Sequence, residues 1–524
     1  MFLILLLCFC ASSVVLAQGD AQQPFRSTPV ANKRNWNSHS HEMRHMSYET
    51  ETVSQHAVEC DLFTHEAAPF SPLGNLNALS STAYTILRHP LFPHYNVRIK
   101  QSHFCDGTTR AYTGYIDRET HHLFFYFFES RNDPESDDVI FWTNGGPGCS
   151  SATGLFMELG PCTVTGPFNA TYNPYSWNNR ANIFFVDQPI GVGFSYAEHG
   201  EFIDNTLDAS KDIAAFVAIF FEHFTQFKGR PFHMAGESYG GRYIPVFAAE
   251  IYDQNARLQK AGLTPINLES IMIGNGVTNW PVMIASYYEM QCHNISVPPI
   301  QSPSTCVRMK YSLSRCESLF KKGCEDSFNY FDCLSASLFC LNELYTPMIA
   351  TGYNPYDLSK LCEGGVEETL CYPQMTDVDD FLNRKDIRRA LGVDAAVKTF
   401  QSCNDAIERA FAQRPDEMFP TQYYIGALLE RGVRALIYVG DTDFMGNWVG
   451  NERMTLAVEW TGQDTFVKQP LREWHANGTP AGLTRSSGPF TFATIYGAGH
   501  LAPHDKPKES LELVNRWITQ QDLQ

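Results

Sequence analysis

The chain has 524 residues, 44% of them hydrophobic, which is enough for one big domain carrying an insertion. Its formal net charge of −18 argues against nucleic-acid or anionic-membrane partners and suits an acidic or extracellular medium. No strongly acidic block forms a tail.

Residues 1–17 hold a short apolar core and end in Val15-Leu16-Ala17, a small-residue cleavage pattern. They read as a secretory signal peptide, too short for a membrane span, and no later apolar run is long enough to cross a bilayer. Its first residues lack Lys or Arg, so the reading rests on the apolar core and the cleavage pattern. Residues 18–95 are rich in Gln, His, Ser, Asn and Pro and poor in periodicity. They are expected to form a propeptide or pro-like extension, with a retained flexible arm as the alternative.

Strand-like runs then begin: 124–128 (FFYFF), 138–142 (DVIFW) and 182–186 (NIFFV). A long apolar helix is expected over 207–227, and a further strand over 231–235. Next comes Gly236-Glu237-Ser238-Tyr239-Gly240-Gly241, followed by a helical pattern at 243–252 with Ile244, Phe247, Ala248 and Ile251 on one face. This is the G-x-S-x-G arrangement, a strand-to-helix elbow that exposes one serine, and its two glycines are expected to avoid collisions with neighbouring backbone. Further apolar runs at 270–273 and 435–439 complete the series. Short apolar runs separated by amphipathic helices predict an α/β fold, a mostly parallel sheet with helices on both faces. Sites in such sheets lie beyond the carboxyl ends of the strands.

Between 277 and 415 the strand rhythm stops, and this stretch holds Cys292, Cys306, Cys316, Cys324, Cys333, Cys340, Cys362, Cys371 and Cys403. It is expected to be a disulfide-stapled, largely helical insertion over the active face, leaving 96–276 and 416–524 as the catalytic core. Of 15 cysteines, Cys8 and Cys10 leave with the signal peptide. The odd remainder fits an oxidising compartment with at least one cysteine unpaired inside the chain. Asn169, Asn294 and Asn477 open N-x-S/T sequons that could carry glycans, the last followed by Pro480.

A serine needs a base to take its proton and an acid to orient that base. Asp441 and Asp443 follow the 435–439 strand, and His500 follows a glycine turn at another strand end. The order Ser, Asp, His fits a hydrolase of this architecture, while spacing leaves Asp441 and Asp443 equivalent. The loop Asn144-Gly145-Gly146-Pro147-Gly148-Cys149-Ser150-Ser151 can offer unblocked backbone N–H groups to an oxyanion. It lacks the lysine and spacing of a phosphate-binding loop.

Four stretches, at 142–151, 158–161, 187–196 and 236–245, resemble the serine carboxypeptidases in sequence and order, and the likeness runs from about residue 112 to the carboxyl terminus. The resemblance implies an α/β-hydrolase fold with Ser238 as nucleophile, Asp443 as orienting acid and His500 as base. It implies the backbone N–H groups of Gly146 and Tyr239 as oxyanion hole. It assigns Asn144, the Gly145 N–H, Glu158 and Glu237 to the substrate's terminal carboxylate. Two carboxyls close together share a proton, so this pair is expected to favour acidic pH. The resemblance also implies disulfides Cys149–Cys403, Cys292–Cys306, Cys316–Cys340, Cys324–Cys333 and Cys362–Cys371. Cys60, Cys105 and Cys162 are left over, of which Cys105 and Cys162 could pair.

Two departures stand out. A fungal member of that family carries a free cysteine where this chain has Gly446, so thiol sensitivity is not expected. Leu501 replaces a methionine, and with Thr153 and Met157 it predicts an apolar pocket (S1′) for the departing residue. The implied activity is removal of C-terminal amino acids from peptides and proteins through an acyl-enzyme, in the secreted or vacuolar/lysosomal lumen. That chemistry calls for no cofactor and no metal. Ester cleavage or acyl transfer on the same scaffold is the second reading, and a non-catalytic binding protein is the third. Intact Ser238, Asp443 and His500 speak against the last.

Overall fold

The computed structural model describes residues 70–105, 107–418 and 420–523. The expected signal peptide and the 18–69 part of the pro-like extension, with Cys60, lie outside the described residues.

Twelve strands of one large sheet carry the architecture. In chain order they are β1 (Thr85–Arg88), β2 (Tyr95–Ser102), β3 (Ala111–Arg118), β4 (His121–Phe128), β5 (Asp138–Thr143) and β6 (Ala181–Val186). There follow β7 (Phe232–Glu237), β8 (Leu268–Gly274), β9 (Arg434–Gly440), β10 (Arg472–Ala476), β11 (Thr479–Ser487) and β12 (Phe490–Ile495). Their spatial order is β1-β2-β3-β4-β6-β5-β7-β8-β9-β12-β11-β10, and a two-residue strand, Tyr196–Ala197, pairs with β4. The six central strands from β6 to β12 are parallel, and the strands outside them pair antiparallel. Of the stretch 18–95, the described part is built into this unit. There β1 pairs antiparallel with β2, and the Gly74 N–H donates to the His223 carbonyl.

Strands buried on both faces can be apolar throughout, and the pleat then sorts successive side chains. In β4, Phe125 and Phe127 enter one core while Phe124, Tyr126 and Phe128 enter the other. In β9, Ala435, Ile437 and Val439 take the first face and Leu436 and Tyr438 the second. Helices α1 (Thr206–His223) and α2 (Gly240–Lys260) cover the first face with Phe216, Phe220, Ile244, Phe247 and Ile251. The helix expected over 207–227 ends at His223, because Phe224 leaves helical geometry and 225–227 closes as a separate 3₁₀ turn. Conversely, α2 outruns the expected 243–252, since its later turns are largely polar and only Gln254 and Leu258 remain buried there.

The insertion opens with three helices: α3 (Trp280–Cys292), α4 (Pro303–Phe320) and α5 (Tyr330–Leu344). They build a separate core around Met283, Tyr287, Phe320 and Leu341 that also takes in Phe444 and Val449 of the main unit. Disulfides Cys292–Cys306, Cys316–Cys340 and Cys324–Cys333 pin it, and Cys362–Cys371 closes a loop beyond a short hairpin at 353–361. Cys149–Cys403 and Cys105–Cys162 are also formed, so all twelve described cysteines are paired. Among the described residues no helix is long and apolar enough to cross a membrane.

Candidate active site

Register alone brings the key loops together. Thr143 of β5 pairs with Gly236 of β7, so the glycine loop that follows Thr143 leaves the sheet beside the elbow that follows Gly236. Ser238 sits there at φ 61°, and its carbonyl accepts from the Gly241 and Val277 N–H groups. A non-glycine residue with positive φ is costly and persists only where the surroundings hold it.

A Cβ at Gly236 would lie 2.8 Å from Ile244 and 2.9 Å from the Thr143 carbonyl, and one at Gly241 would lie 2.8 Å from the Val277 nitrogen. At Gly240 the nearest atom is 3.6 Å away, an ordinary contact. The steric demand expected of the motif's two glycines therefore falls on Gly236 and Gly241, and Gly240 is free of it. Gly240→Ala should be neutral or stabilise by up to about 1 kcal/mol through the unfolded chain. Gly241→Ala should cost about 1–3 kcal/mol. Urea unfolding of both variants checks the contrast. Gly145 is a further tight point, since a side chain there would overlap the Tyr239 nitrogen and the Glu237 carbonyl.

Asp443 is fully buried and receives four hydrogen bonds. His500 Nδ1 lies 2.8 Å from its Oδ2, and the Asn275 amide and the Met445 and Gly446 N–H groups each donate at 2.9 Å. With Asp443 as acceptor, the proton sits on Nδ1 of His500 and leaves Nε2 as the basic nitrogen. Asp441 is used otherwise: its Oδ1 accepts from the Gly497 N–H at 2.7 Å, tying together the loops after β9 and β12. Burial pushes its carboxyl up to about 6.

Asn275 belongs to this site without any local motif to mark it. It follows β8, adopts φ 44°, donates to Asp443, and accepts from the Gly440 N–H at 3.1 Å. Gly446 makes room for it, since a Cβ there would overlap the Asn275 carbonyl. The insertion holds the same loops from the other side. The Tyr356 carbonyl takes the His500 N–H at 2.7 Å, and the Pro355 carbonyl takes the N–H groups of Phe444 and Met445 at 3.2 Å.

The second cluster is acidic. The Asn144 amide oxygen accepts from the Trp142 indole at 2.8 Å and from the Gly154 N–H at 2.9 Å. That orientation turns its NH₂ toward Glu158 at 3.1 Å and Glu237 at 3.4 Å. Glu158 rides on a single π-helical turn, Gly154–Glu158, and both carboxyls are buried. Burial, then the adjoining Glu158 carboxyl, push Glu237 well up; burial also raises Glu158, while its hydrogen bonds to Glu237 and Asn144 oppose the rise. The pair therefore keeps a proton to higher pH than ordinary carboxyls do.

The glycine loop itself is anchored twice. Cys149 is bridged to Cys403, with Ser150 N–H donating to Ser402 at 2.7 Å and Asn404 N–H donating to Gly148 at 2.9 Å. Beside it, buried Asp187 accepts from the Ser150 hydroxyl at 2.5 Å, the Phe194 N–H at 3.0 Å and the Ser151 N–H at 3.1 Å. Burial lifts this carboxyl to about 6, against those donors.

Thr153, Met157 and Leu501 are all buried, and Met157 and Leu501 share one apolar cluster with Tyr356 and Tyr372 of the insertion. Tyr239 sends its hydroxyl to Asp416 at 2.7 Å, away from its own backbone N–H. The three sequon asparagines, Asn169, Asn294 and Asn477, are exposed. Among the described residues no group of three His, Cys, Asp or Glu side chains is placed to hold a metal ion.

The family profile described as serine carboxypeptidase matches residues 104–520. The chain belongs to the serine carboxypeptidase family. Similar relatives include carboxypeptidase Y of Candida albicans, 43% identical over 82% of this chain and 77% of that one. Carboxypeptidase Y of Komagataella phaffii is 42% identical over 82% of this chain and 80% of its own. A prohormone-processing carboxypeptidase from Saccharomyces cerevisiae shares the fold at a TM-score of 0.67 and 23% identity, over 79% of this chain and 92% of that one. Like other members of the serine carboxypeptidase family, this chain is an α/β hydrolase, and its elbow serine stands at the head of α2.

Proposed function

We propose that the protein is a serine carboxypeptidase that removes C-terminal amino acids from peptides and proteins. The observation that carries this reading is the buried Glu158–Glu237 pair, held by Asn144 beside an elbow serine and driven by burial toward its neutral form. An endopeptidase or esterase has no need to bury two carboxyls there. An exopeptidase needs donors for a terminal carboxylate, and a shared proton turns an acidic pair into donors.

In this reading Asn144, the Gly145 N–H, Glu158 and Glu237 seat the C-terminal carboxylate. Ser238 Oγ attacks the last peptide carbonyl while His500 Nε2 takes its proton, and Asp443 steadies the imidazolium. The Gly146 and Tyr239 N–H groups receive the oxyanion. Collapse of the tetrahedral adduct breaks the C–N bond, and His500 returns the proton to the departing amine. Water, deprotonated by His500, then opens the ester and frees Ser238. Thr153, Met157 and Leu501 border the departing residue and favour bulky apolar side chains. The pair favours mildly acidic pH, and exposed Asn169, Asn294 and Asn477 fit a glycosylated enzyme of the secretory pathway, secreted or held in a vacuolar or lysosomal lumen. Since 70–95 belongs to the sheet-bearing unit, a maturation cut that spares the fold falls before Phe70.

The test is mass spectrometry of matched peptides with free and amidated C-termini, at mildly acidic and neutral pH. Stepwise loss of terminal residues from the free acid alone, faster in acid, is expected. Internal cleavage, or no cleavage by a protein whose serine still reacts with an organophosphate, would move the assignment to ester or acyl-transfer chemistry.

A further inference from the structure

Behind the carboxyl pair the sheet places a tyrosine that the mechanism above does not use. Glu237 of β7, Gly274 of β8 and Tyr438 of β9 are in register across three parallel strands, so their side chains leave the same face. Gly274 contributes no side chain, and the Tyr438 ring fills that space. A Cβ at Gly274 would lie 2.5 Å from both Tyr438 Cζ and Oη. The hydroxyl is thereby laid across the middle strand, at the level of Glu237.

Tyr438 is fully buried, yet its hydroxyl has no protein partner. The ring of Trp177 lies 6.3 Å from that of Tyr438 and 5.3 Å from that of Trp142. The Trp177 backbone N–H is bonded to Leu159, next to Glu158, and its indole N–H is likewise buried without a partner. Glu158 Oε2 and Glu237 Oε2 have no donor beyond the proton the two carboxyls share, and both carboxyls act electrostatically on Tyr438. Buried polar groups left without protein partners are commonly joined by one ordered water, which needs two to four such partners.

We propose that Tyr438 is a positioning residue for carboxylate recognition: its hydroxyl and the Trp177 indole N–H hold one buried water against Glu237, and that water fixes where the shared proton rests. The inference rests on the carboxylate-binding reading of Glu158 and Glu237. The other groups that act on the pair are Asn144, Asp443, His500 and His504. A donor that reaches Glu237 through water favours its ionised form, so removing the hydroxyl extends the protonated state to higher pH.

The experiment is the pH dependence of KM and kcat for a blocked dipeptide with a free C-terminus, in the wild-type enzyme and in Tyr438→Phe. The substitution keeps the ring that fills the Gly274 space, and thermal melts verify folding. In Tyr438→Phe the alkaline rise in KM should begin about half to one pH unit higher, as expected for loss of one hydrogen bond. The maximal kcat should coincide in the two proteins. A rise that is present in the wild type and unmoved, or moved downward, in Tyr438→Phe overturns the role of Tyr438. A wild-type KM that does not rise with pH overturns the carboxylate-pair reading, and this inference with it.

Discussion

Ser238→Ala lowers kcat on the order of a millionfold while peptide binding persists. The expectation follows from where the hydroxyl stands. Ser238 occupies a positive-φ elbow at the head of α2, while the Asp443–His500 pair is assembled on the ends of β9 and β12, two and three strands away. Nothing else at the elbow can form an acyl-enzyme, because Glu237 and Tyr239 direct their side chains to the carboxylate cluster and to Asp416. Single-turnover release of a C-terminal amino acid, with binding followed separately by calorimetry, measures both halves. A variant that keeps more than about a hundredth of the wild-type kcat would remove Ser238 from the mechanism, since loss of a nucleophile leaves far less. Asp443→Asn should lose on the order of ten-thousandfold, because an amide cannot impose the same His500 tautomer.

Glu158→Gln combined with Glu237→Gln abolishes the pH dependence of substrate affinity. Both carboxyls are raised by burial, so the pair keeps its shared proton to higher pH than free glutamates would and gives it up as the pH climbs. Neutral, the pair donates to a terminal carboxylate; ionised, it repels one. Between pH 5 and 8 the wild-type KM should rise about 10- to 100-fold, the size of one or two charge-assisted hydrogen bonds. Two amides donate at every pH, so the double variant's KM should stay within about threefold over that range. A double variant that still shows the full alkaline rise would falsify the assignment. The same carboxyls contribute stability that is present below the ordinary value of 4.5 and lost as the pH rises through the raised one. Asp187 adds a loss between 3.8 and about 6. These three carboxyls thus favour binding and folding alike in acid.

The elbow, the sheet and the disulfide-rich insertion were legible in the sequence because each is announced locally, by a glycine-flanked serine, by apolar runs or by clustered cysteines. What distance in the chain conceals was not. Asp441 and Asp443 both follow one strand, and only the contacts of His500 and Gly497 tell them apart. Asn275 carries no local signal, since it is one asparagine among many after a strand. The steric need at Gly145 and Gly241 comes from loops far away in sequence, whereas Gly240, inside the motif, is unconstrained. The hairpin at 353–361 lay hidden inside a stretch read as helical, although it clamps the loops that bear acid and base. The irregular residues 70–94 conceal an edge strand for a physical reason: β1 has four residues, half-exposed Ile86 among them, and edge strands need no buried alternation.

The bridge from Cys149 to Cys403 spans 254 residues and makes the glycine loop dependent on a partner synthesised much later. At ordinary translation speeds of about 5–20 residues per second, roughly 13–50 s separate the emergence of the two cysteines. His500 arrives later still. A nascent chain therefore carries Ser238 well before that loop can be locked or His500 can reach it. Completion of the candidate site is thus among the last events in the making of this polypeptide.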